Sequence, residues 1–168
     1  MARSDKDFLG LEVIGLDDAS LLGEVDGLIV DETAKRVAGL IVDMGLYEAS
    51  VLPFDRITAL GEDAVLVESA EAVRPLSEEP ELEAVAQRSI QLDELLALTD
   101  GGDVVGMVGD YFVNPGDGSL AGIEIVLDTE TGEETHVVPI SAVVSIGTDL
   151  VLVSSRYRTM AVGGPDAL

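Results

Sequence analysis

The strongest constraint on the fold of this chain is an internal repeat. The stretch LLGEVDGLIVD at residues 21–31 returns as VVGMVGDYFVN at residues 104–114. Further along, LPFDRITALGEDAVLVES at 52–69 matches VPISAVVSIGTDLVLVSS at 138–155, with seven of 18 positions identical. The offset is 83 residues for the first pair and 86 for the second, so the second copy has three additional residues between the two blocks. Because loop length costs little, these residues are expected at a hairpin tip.

Each copy contains short apolar runs that are separated by turn residues. In the first copy the runs are LEVIGL, GEVDGLIVD, RVAGLIVD, ASVLPF and AVLVES, and the turns include DDAS, ETAK and GED. These runs have the length and the β-branched content of strands. We therefore predict an all-β fold of two tandem small antiparallel β-barrels, because closure removes the edges that an aliphatic sheet would expose.

The segment between the copies has the features of a short helix. Ser77 suits a cap, the glutamates that follow it suit the positive end of the helix dipole, and Leu82 and Val85 lie on one apolar stripe. We predict a helix from about residue 78 to 88 that packs on a barrel. The predicted organisation is a first barrel at 1–74, a helical linker at 75–88, a second barrel at 89–157 and a flexible tail at 158–168.

The charge of the chain limits its partners and its location. It has 33 acidic and nine basic residues, which gives a formal net charge of −24 and argues against binding to nucleic acid or to anionic membranes. The excess of acid favours either solubility through repulsion or adaptation to high intracellular salt. The N-terminus lacks an apolar h-region, so we expect no signal peptide, and the longest uncharged stretch, residues 137–148, is too short to span a membrane. A cytoplasmic location without a transmembrane segment is expected.

The order of the short motifs resembles that of the PRC-barrel family. In the first copy the motifs are Leu9 to Leu11, Gly23-Glu24-Val25, Val30-Asp31, Pro53 and Gly61-Glu62-Asp63. In the second copy they are Gly106-Met107-Val108, Val113-Asn114, Pro139 and Gly147-Thr148-Asp149. The second copy departs from the family pattern at Asn114, where the family has Asp, and in the long NPGDGS loop that follows.

This family includes the cytoplasmic domain of the photosynthetic reaction-centre H subunit and the C-terminal domain of a ribosome-maturation factor. The resemblance implies two tandem PRC-barrels that act as a binding or assembly module, without catalytic residues to carry over. We therefore expect a non-enzymatic protein-interaction module. Two alternatives stay open: an acidic scaffold of a membrane-associated or cell-division complex, and an unrecognised metal-dependent enzyme.

The candidate interaction face comprises Leu28, Tyr111 and Phe112. Adjacent positions in DGLIVD and GDYFVN are both apolar, so these strands are expected to be covered on both faces. One cover is the barrel core, and the second is the other barrel, the linker helix, a partner protein or another copy of the chain.

No residue pattern indicates a reaction, a cofactor or a metal. The chain has no Cys, and its single histidine, His136, has no nucleophile motif near it, because Ser141 lacks an elbow sequence. The segment Asp128 to Glu134 is rich in carboxylates but lacks the register of a calcium loop. We predict no catalytic, cofactor or metal residues and leave weak binding of a divalent ion at this segment open.

Overall fold

The computed structural model describes residues 1–88 and 90–168. Strands make up 47% of the protein and helices 19%, so the fold is mostly β, as predicted. In chain order the strands are β1 (Arg3–Ser4), β2 (Glu12–Gly15), β3 (Leu21–Asp31), β4 (Arg36–Asp43), β5 (Ser50–Pro53), β6 (Ala59–Leu60), β7 (Ala64–Val67), β8 (Arg74–Pro75), β9 (Leu96–Thr99), β10 (Val104–Val113), β11 (Leu120–Thr129), β12 (Gly132–Pro139), β13 (Val143–Ile146) and β14 (Leu150–Val153). The α-helices are α1 (Pro80–Ala86) and α2 (Tyr157–Met160), and short 3-10 helices lie at Asp5–Asp7, Phe54–Arg56, Ala70–Ala72, Leu76–Glu78, Leu92–Glu94, Ile140–Ala142 and Pro165–Ala167.

The chain divides into two compact units. The N-terminal unit consists of Asp5–Asp31 and Val37–Ser89, and the C-terminal unit consists of Met1–Ser4, Glu32–Arg36 and Ile90–Leu168. The sequence-based domain boundaries stay a prediction, and the predicted start of the second domain, residue 89, lies outside the described residues.

Both units contain a sheet with the same order of strands. The sheet of the N-terminal unit runs β6-β7-β2-β3-β4-β5-β8, and that of the C-terminal unit runs β13-β14-β9-β10-β11-β12, with β1 paired to β10. Six strands of each sheet therefore correspond in order, as the sequence repeat requires.

Equivalent residues also make equivalent pairs within the two sheets. Gly39 of β4 lies opposite Pro53 of β5, and Gly122 of β11 lies opposite Pro139 of β12. A Cβ atom at Gly39 would lie 2.8 Å from a backbone carbonyl oxygen of β5, and one at Gly122 would lie 2.5 Å from the corresponding oxygen of β12. Glycine is therefore required by close approach of the strands at both places.

The closed antiparallel barrels that we predicted are not observed. Each sheet is open, because its two terminal strands do not pair with each other. Pro53 and Pro139 end β5 and β12 and lead into 3-10 helices, and proline cannot donate to a further ladder. The antiparallel prediction is also wrong for two pairs: β2 with β7, and β9 with β14, are parallel. A long connection joins the two strands of each pair, so they are not forced to be antiparallel as the strands of a tight hairpin are.

The three additional residues of the second copy lie at a hairpin tip. In the first copy the ladder of β4 and β5 extends to Val42 opposite Ser50. In the second copy the ladder of β11 and β12 continues to Thr129 opposite Gly132. The insertion thus lengthens this hairpin, which confirms the prediction from the changed offset.

Two segments from the N-terminal region complete the C-terminal unit. Arg3 and Ser4 of β1 pair with the end of β10. The Lys35 side chain donates a hydrogen bond of 2.9 Å to the Val143 carbonyl, and the Leu120 amide donates one of 2.9 Å to the Lys35 carbonyl. Residues far apart in sequence are therefore needed to build this unit.

In each unit, the segment that follows the sheet packs on part of its outer face. In the N-terminal unit, Leu82 of α1 forms a buried cluster with Ile29 and Val51. In the C-terminal unit, the Val162 amide donates to the Val137 carbonyl at 2.8 Å, and the Leu168 side chain lies over Gly122. Residues 158–168, expected to be flexible, thus contact β11 and β12. Among the described residues, no helix is long and apolar enough to cross a membrane.

Candidate functional site

The sheet of the C-terminal unit carries an exposed group of aliphatic side chains on its outer face. Alternation along each strand places Ala97 of β9 and Val151 of β14 in the core, with their neighbours on the opposite side. We call the outward group the apolar sheet face, and it consists of Leu96, Leu98, Val104, Met107, Val126, Leu150 and Leu152.

Strand register aligns these side chains in two rows. In the first row, Met107 lies opposite Leu96 on one side and Val126 on the other, and Leu96 lies opposite Leu150. In the second row, Leu98 lies opposite Val104 and Leu152. Residues directly opposite each other in a ladder share a face of the sheet and contact one another.

The apolar sheet face is accessible in the folded chain. Val104 is 61% exposed, Met107 47% and Leu96 36%, and the other four side chains are half-buried. Isolated exposed leucines are common on protein surfaces, but a contiguous group across four strands is typical of an interaction site.

The equivalent row of the N-terminal unit is polar. Glu12 of β2 lies opposite Glu24 of β3 and Ala64 of β7, which are the pairings that Leu96 makes with Met107 and Leu150. Both glutamates are exposed, and so is Asp43, which the repeat aligns with Val126. In this row the N-terminal sheet therefore presents acidic side chains and the C-terminal sheet aliphatic ones. The second row is aliphatic in both sheets, because Ile14 lies opposite Leu21 and Leu66 in the N-terminal unit.

The three predicted face residues do not form one exposed surface. Leu28 on β3 is half-buried, whereas Tyr111 and Phe112 on β10 are only 5% and 4% exposed. Leu28 and Tyr111 are equivalent in the repeat, so they lie on separate units. Phe112 lies opposite Gly122, where Leu168 packs on the outer face. Leu168 thus covers the sheet at Gly122, the ladder partner of Phe112.

The single histidine belongs to a small polar and aromatic cluster. The His136 ring nitrogen Nε2 lies 2.6 Å from the Glu134 carboxylate, and the Arg158 guanidinium donates to the same oxygen at 2.9 Å. These two bonds hold the pKa of the Glu134 carboxyl below its usual range. The Tyr157 ring meets the His136 ring edge to face at 5.6 Å, and Arg158 lies over the same tyrosine. This cluster attaches α2 to β12.

Carboxylates are abundant, but they do not converge on a metal position. Within residues 1–88 and 90–168, no group of three or more His, Cys, Asp or Glu side chains is placed to hold a metal ion. Asp128 and Glu133 lie opposite each other in the exposed β11–β12 hairpin. An open polar depression of about 370 Å³ in the N-terminal unit is lined by residues that include Asp55, Arg56 and Glu68, and its arginine pairs with Glu79.

Sequence analysis missed the apolar sheet face, although a signal for it was present. The alignment of the copies places Met107 on Glu24 and Val126 on Asp43, an exchange of charged for apolar residues at strand positions. Adjacent apolar residues mark strands that are covered on both sides. An exposed apolar row that crosses several strands can be recognised only when the pairing register of those strands is known.

Comparison with known proteins supports the fold of the first sequence copy. Residues 2–74 match the family model of the PRC-barrel domain. This range contains all the motifs of the first copy, from Leu9 to the strand after Gly61. No curated protein matches the chain.

Proposed function

We propose that this chain is a non-enzymatic protein-interaction or assembly module of the cytoplasm, built from two PRC-barrel domains, and that it binds a partner through the apolar sheet face. The match of residues 2–74 to the PRC-barrel domain supports a module of this kind. The shared strand order of the two sheets supports assignment of the C-terminal unit to the same domain type.

One observation carries the location of the binding surface. The row Leu150, Leu96, Met107 and Val126 is apolar, whereas the N-terminal sheet carries Ala64, Glu12, Glu24 and Asp43 at the equivalent positions. The N-terminal sheet thus folds with charged residues in this row. Folding alone therefore does not require aliphatic side chains there, and their exposure to water is unfavourable unless a partner covers them.

The test exchanges the apolar row for its own counterpart. The double variant Leu96→Glu/Met107→Glu places glutamate at the positions that are equivalent to Glu12 and Glu24 of the N-terminal sheet. Because that sheet folds with both glutamates, the double variant is expected to fold. In affinity purification from the source cells, the wild-type protein is expected to retain a stoichiometric partner that the double variant loses, because an unpaired charge would be buried in the interface.

The control is Leu21→Glu. Leu21 is 62% exposed on the N-terminal sheet and is aligned with Val104 of the apolar sheet face. This variant adds a charge of the same kind and is expected to keep the partner. Equal recovery of every partner by the wild-type protein and a folded double variant, judged by circular dichroism, would contradict the proposal.

A further inference from the structure

The part of the chain that builds the apolar sheet face contains no positive residue. Between Ile90 and Ser155 there is no Lys or Arg. The same range contains twelve carboxylates: Asp93, Glu94, Asp100, Asp103, Asp110, Asp117, Glu124, Asp128, Glu130, Glu133, Glu134 and Asp149. Any partner that approaches this face therefore meets a negative surface.

Exposed carboxylates stand at both ends of the face. Glu94 precedes β9 and Asp149 precedes β14, and these two strands are parallel, so both carboxylates lie at one end. Asp103 precedes β10, which is antiparallel to β9, so it lies at the opposite end. Asp128 lies two residues beyond Val126 on the same side of β11. An apolar centre is thus bordered by negative charge in more than one direction.

Three of the five lysine and arginine side chains of the C-terminal unit make hydrogen bonds away from the face. Lys35 bonds the carbonyl of Val143, Arg36 bonds the carbonyl of Asp117 at 3.2 Å, and Arg158 bonds Glu134. These cations are committed to holding the unit together. The carboxylates of Glu94, Asp103 and Asp149 lie exposed at the ends of the face.

We propose that the occupant of the apolar sheet face is an amphipathic helical segment of another protein, with an apolar stripe bordered by Lys or Arg at both ends. This inference rests on the proposed function and specifies its partner. Four strands about 4.8 Å apart span about 14 Å, which matches about ten residues of helix. Helix α1 shows that a short helix packs on a sheet of this type, because Leu82 lies against Ile29 and Val51 of the N-terminal unit.

A second copy of the chain is a poorer occupant. It would bring another net charge of −24 and the same acidic border to the interface. Like charges placed across an interface oppose association, whereas complementary charges steer the partner and select it.

The test is a selection from a phage-displayed library of random peptides of about 16 residues, which allows about 24 Å of helix. Peptides are retained on the full-length wild-type protein after depletion on folded Leu96→Glu/Met107→Glu protein. This variant has two more negative charges, so it removes peptides that bind through charge alone. The retained peptides are expected to carry apolar residues at helical spacing with flanking Lys or Arg.

Affinities of one selected peptide complete the test. We expect the double variant to bind it about 30-fold or more weakly, which is the range of an interface hot spot, and Leu21→Glu to bind it as the wild-type protein does. Replacement of its flanking Lys or Arg by Glu is expected to weaken binding at least about tenfold, since like charges then face each other.

The remaining outcomes separate the two proposals. Neutral or acidic peptides that discriminate between wild type and the double variant would overturn the basic partner but keep the face as a binding site. Sedimentation that shows a wild-type dimer and a monomeric double variant would do the same, with a second copy as the occupant. If no peptide discriminates between the wild-type protein and the double variant, and the two proteins also have the same oligomeric state, the proposed function is overturned as well.

Discussion

Replacement of Gly122 by alanine tests the close approach of strands on which the repeated sheet depends. The new Cβ atom would lie 2.5 Å from the Val138 carbonyl oxygen, about 1 Å inside van der Waals contact. It would also lie 2.7 Å from the Leu168 side chain, but a change of rotamer at Leu168 can relieve that contact. The backbone contact cannot be relieved without separating β11 from β12.

The expected loss of stability follows from that separation. Overpacking of this kind costs about 1–3 kcal/mol, and loss of one ladder hydrogen bond costs about 1 kcal/mol more. The unfolding free energy is therefore expected to fall by about 2–4 kcal/mol. For a protein of this size, each kcal/mol lowers the melting temperature by about 2–4 °C, so a decrease of roughly 10 °C is expected.

The assay is thermal unfolding followed by circular dichroism, with two matched variants. Gly39→Ala makes the equivalent change in the N-terminal unit, where the clash with the Leu52 carbonyl oxygen is milder at 2.8 Å, and is expected to destabilise less. Gly116→Ala introduces a Cβ with no atom within 4 Å and is expected to change stability by less than about 0.5 kcal/mol. A Gly122→Ala protein that melts with the wild type would refute the reasoning.

Three further predictions concern charge. The melting temperature is expected to rise between 0.1 M and 1 M KCl, where the Debye length falls from about 10 Å to about 3 Å, because the net charge of −24 is then screened; a lower midpoint in high salt would exclude this. Glu134→Gln is expected to lower the melting temperature at neutral pH, and the difference from wild type is expected to disappear in acid. The pKa of the Glu134 carboxyl is lower in the folded than in the unfolded protein, so its ionised form stabilises the fold above the unfolded pKa. That stabilisation is lost as the pH falls through the folded pKa. A difference in melting temperature that persists in acid would contradict this. Lys35→Met keeps the aliphatic stem but removes the hydrogen bond to the Val143 carbonyl, so unfolding in urea is expected to show a loss of about 1–2 kcal/mol, and an unchanged midpoint would remove this role.

Much of the architecture could be predicted from the sequence because the repeat constrains it twice. Gly39 and Gly122 occupy the same place in their sheets, and the extra residues of the second copy lie where the offset changes. Closure into barrels was not predictable in this way, since it depends on whether two distant strands meet. The parallel pairing of Val13 with Val65 also lacks a local signal, because both strands are too short to show a direction.

The candidate site was predicted less well than the fold. Tyr111 and Phe112 were recognised as residues that need cover, but the sequence could not show that Leu168, more than fifty residues away, packs over the glycine opposite Phe112. Leu96 and Met107 are adjacent only through the register of β9 and β10, which is interrupted by an irregularity after Val104. A bulge of this kind shifts which side chains share a face, and single-sequence patterns do not locate it.

The acidic border and the apolar centre of the face are expected to contribute differently to partner affinity as the salt concentration changes. Long-range attraction of a basic segment is screened within about 3 Å at 1 M salt, so charge then acts only through contacts at residues such as Asp103 and Asp149. Burial of Leu96, Met107 and Val126 does not depend on that screening and is strengthened by salts that are excluded from apolar surfaces. Affinity in concentrated salt would therefore come from the aliphatic row, whereas the carboxylates would still reject acidic partners at contact. On the proposed binding mode, a chain with a net charge of −24 would combine an apolar binding surface with selection against acidic partners at both low and high salt.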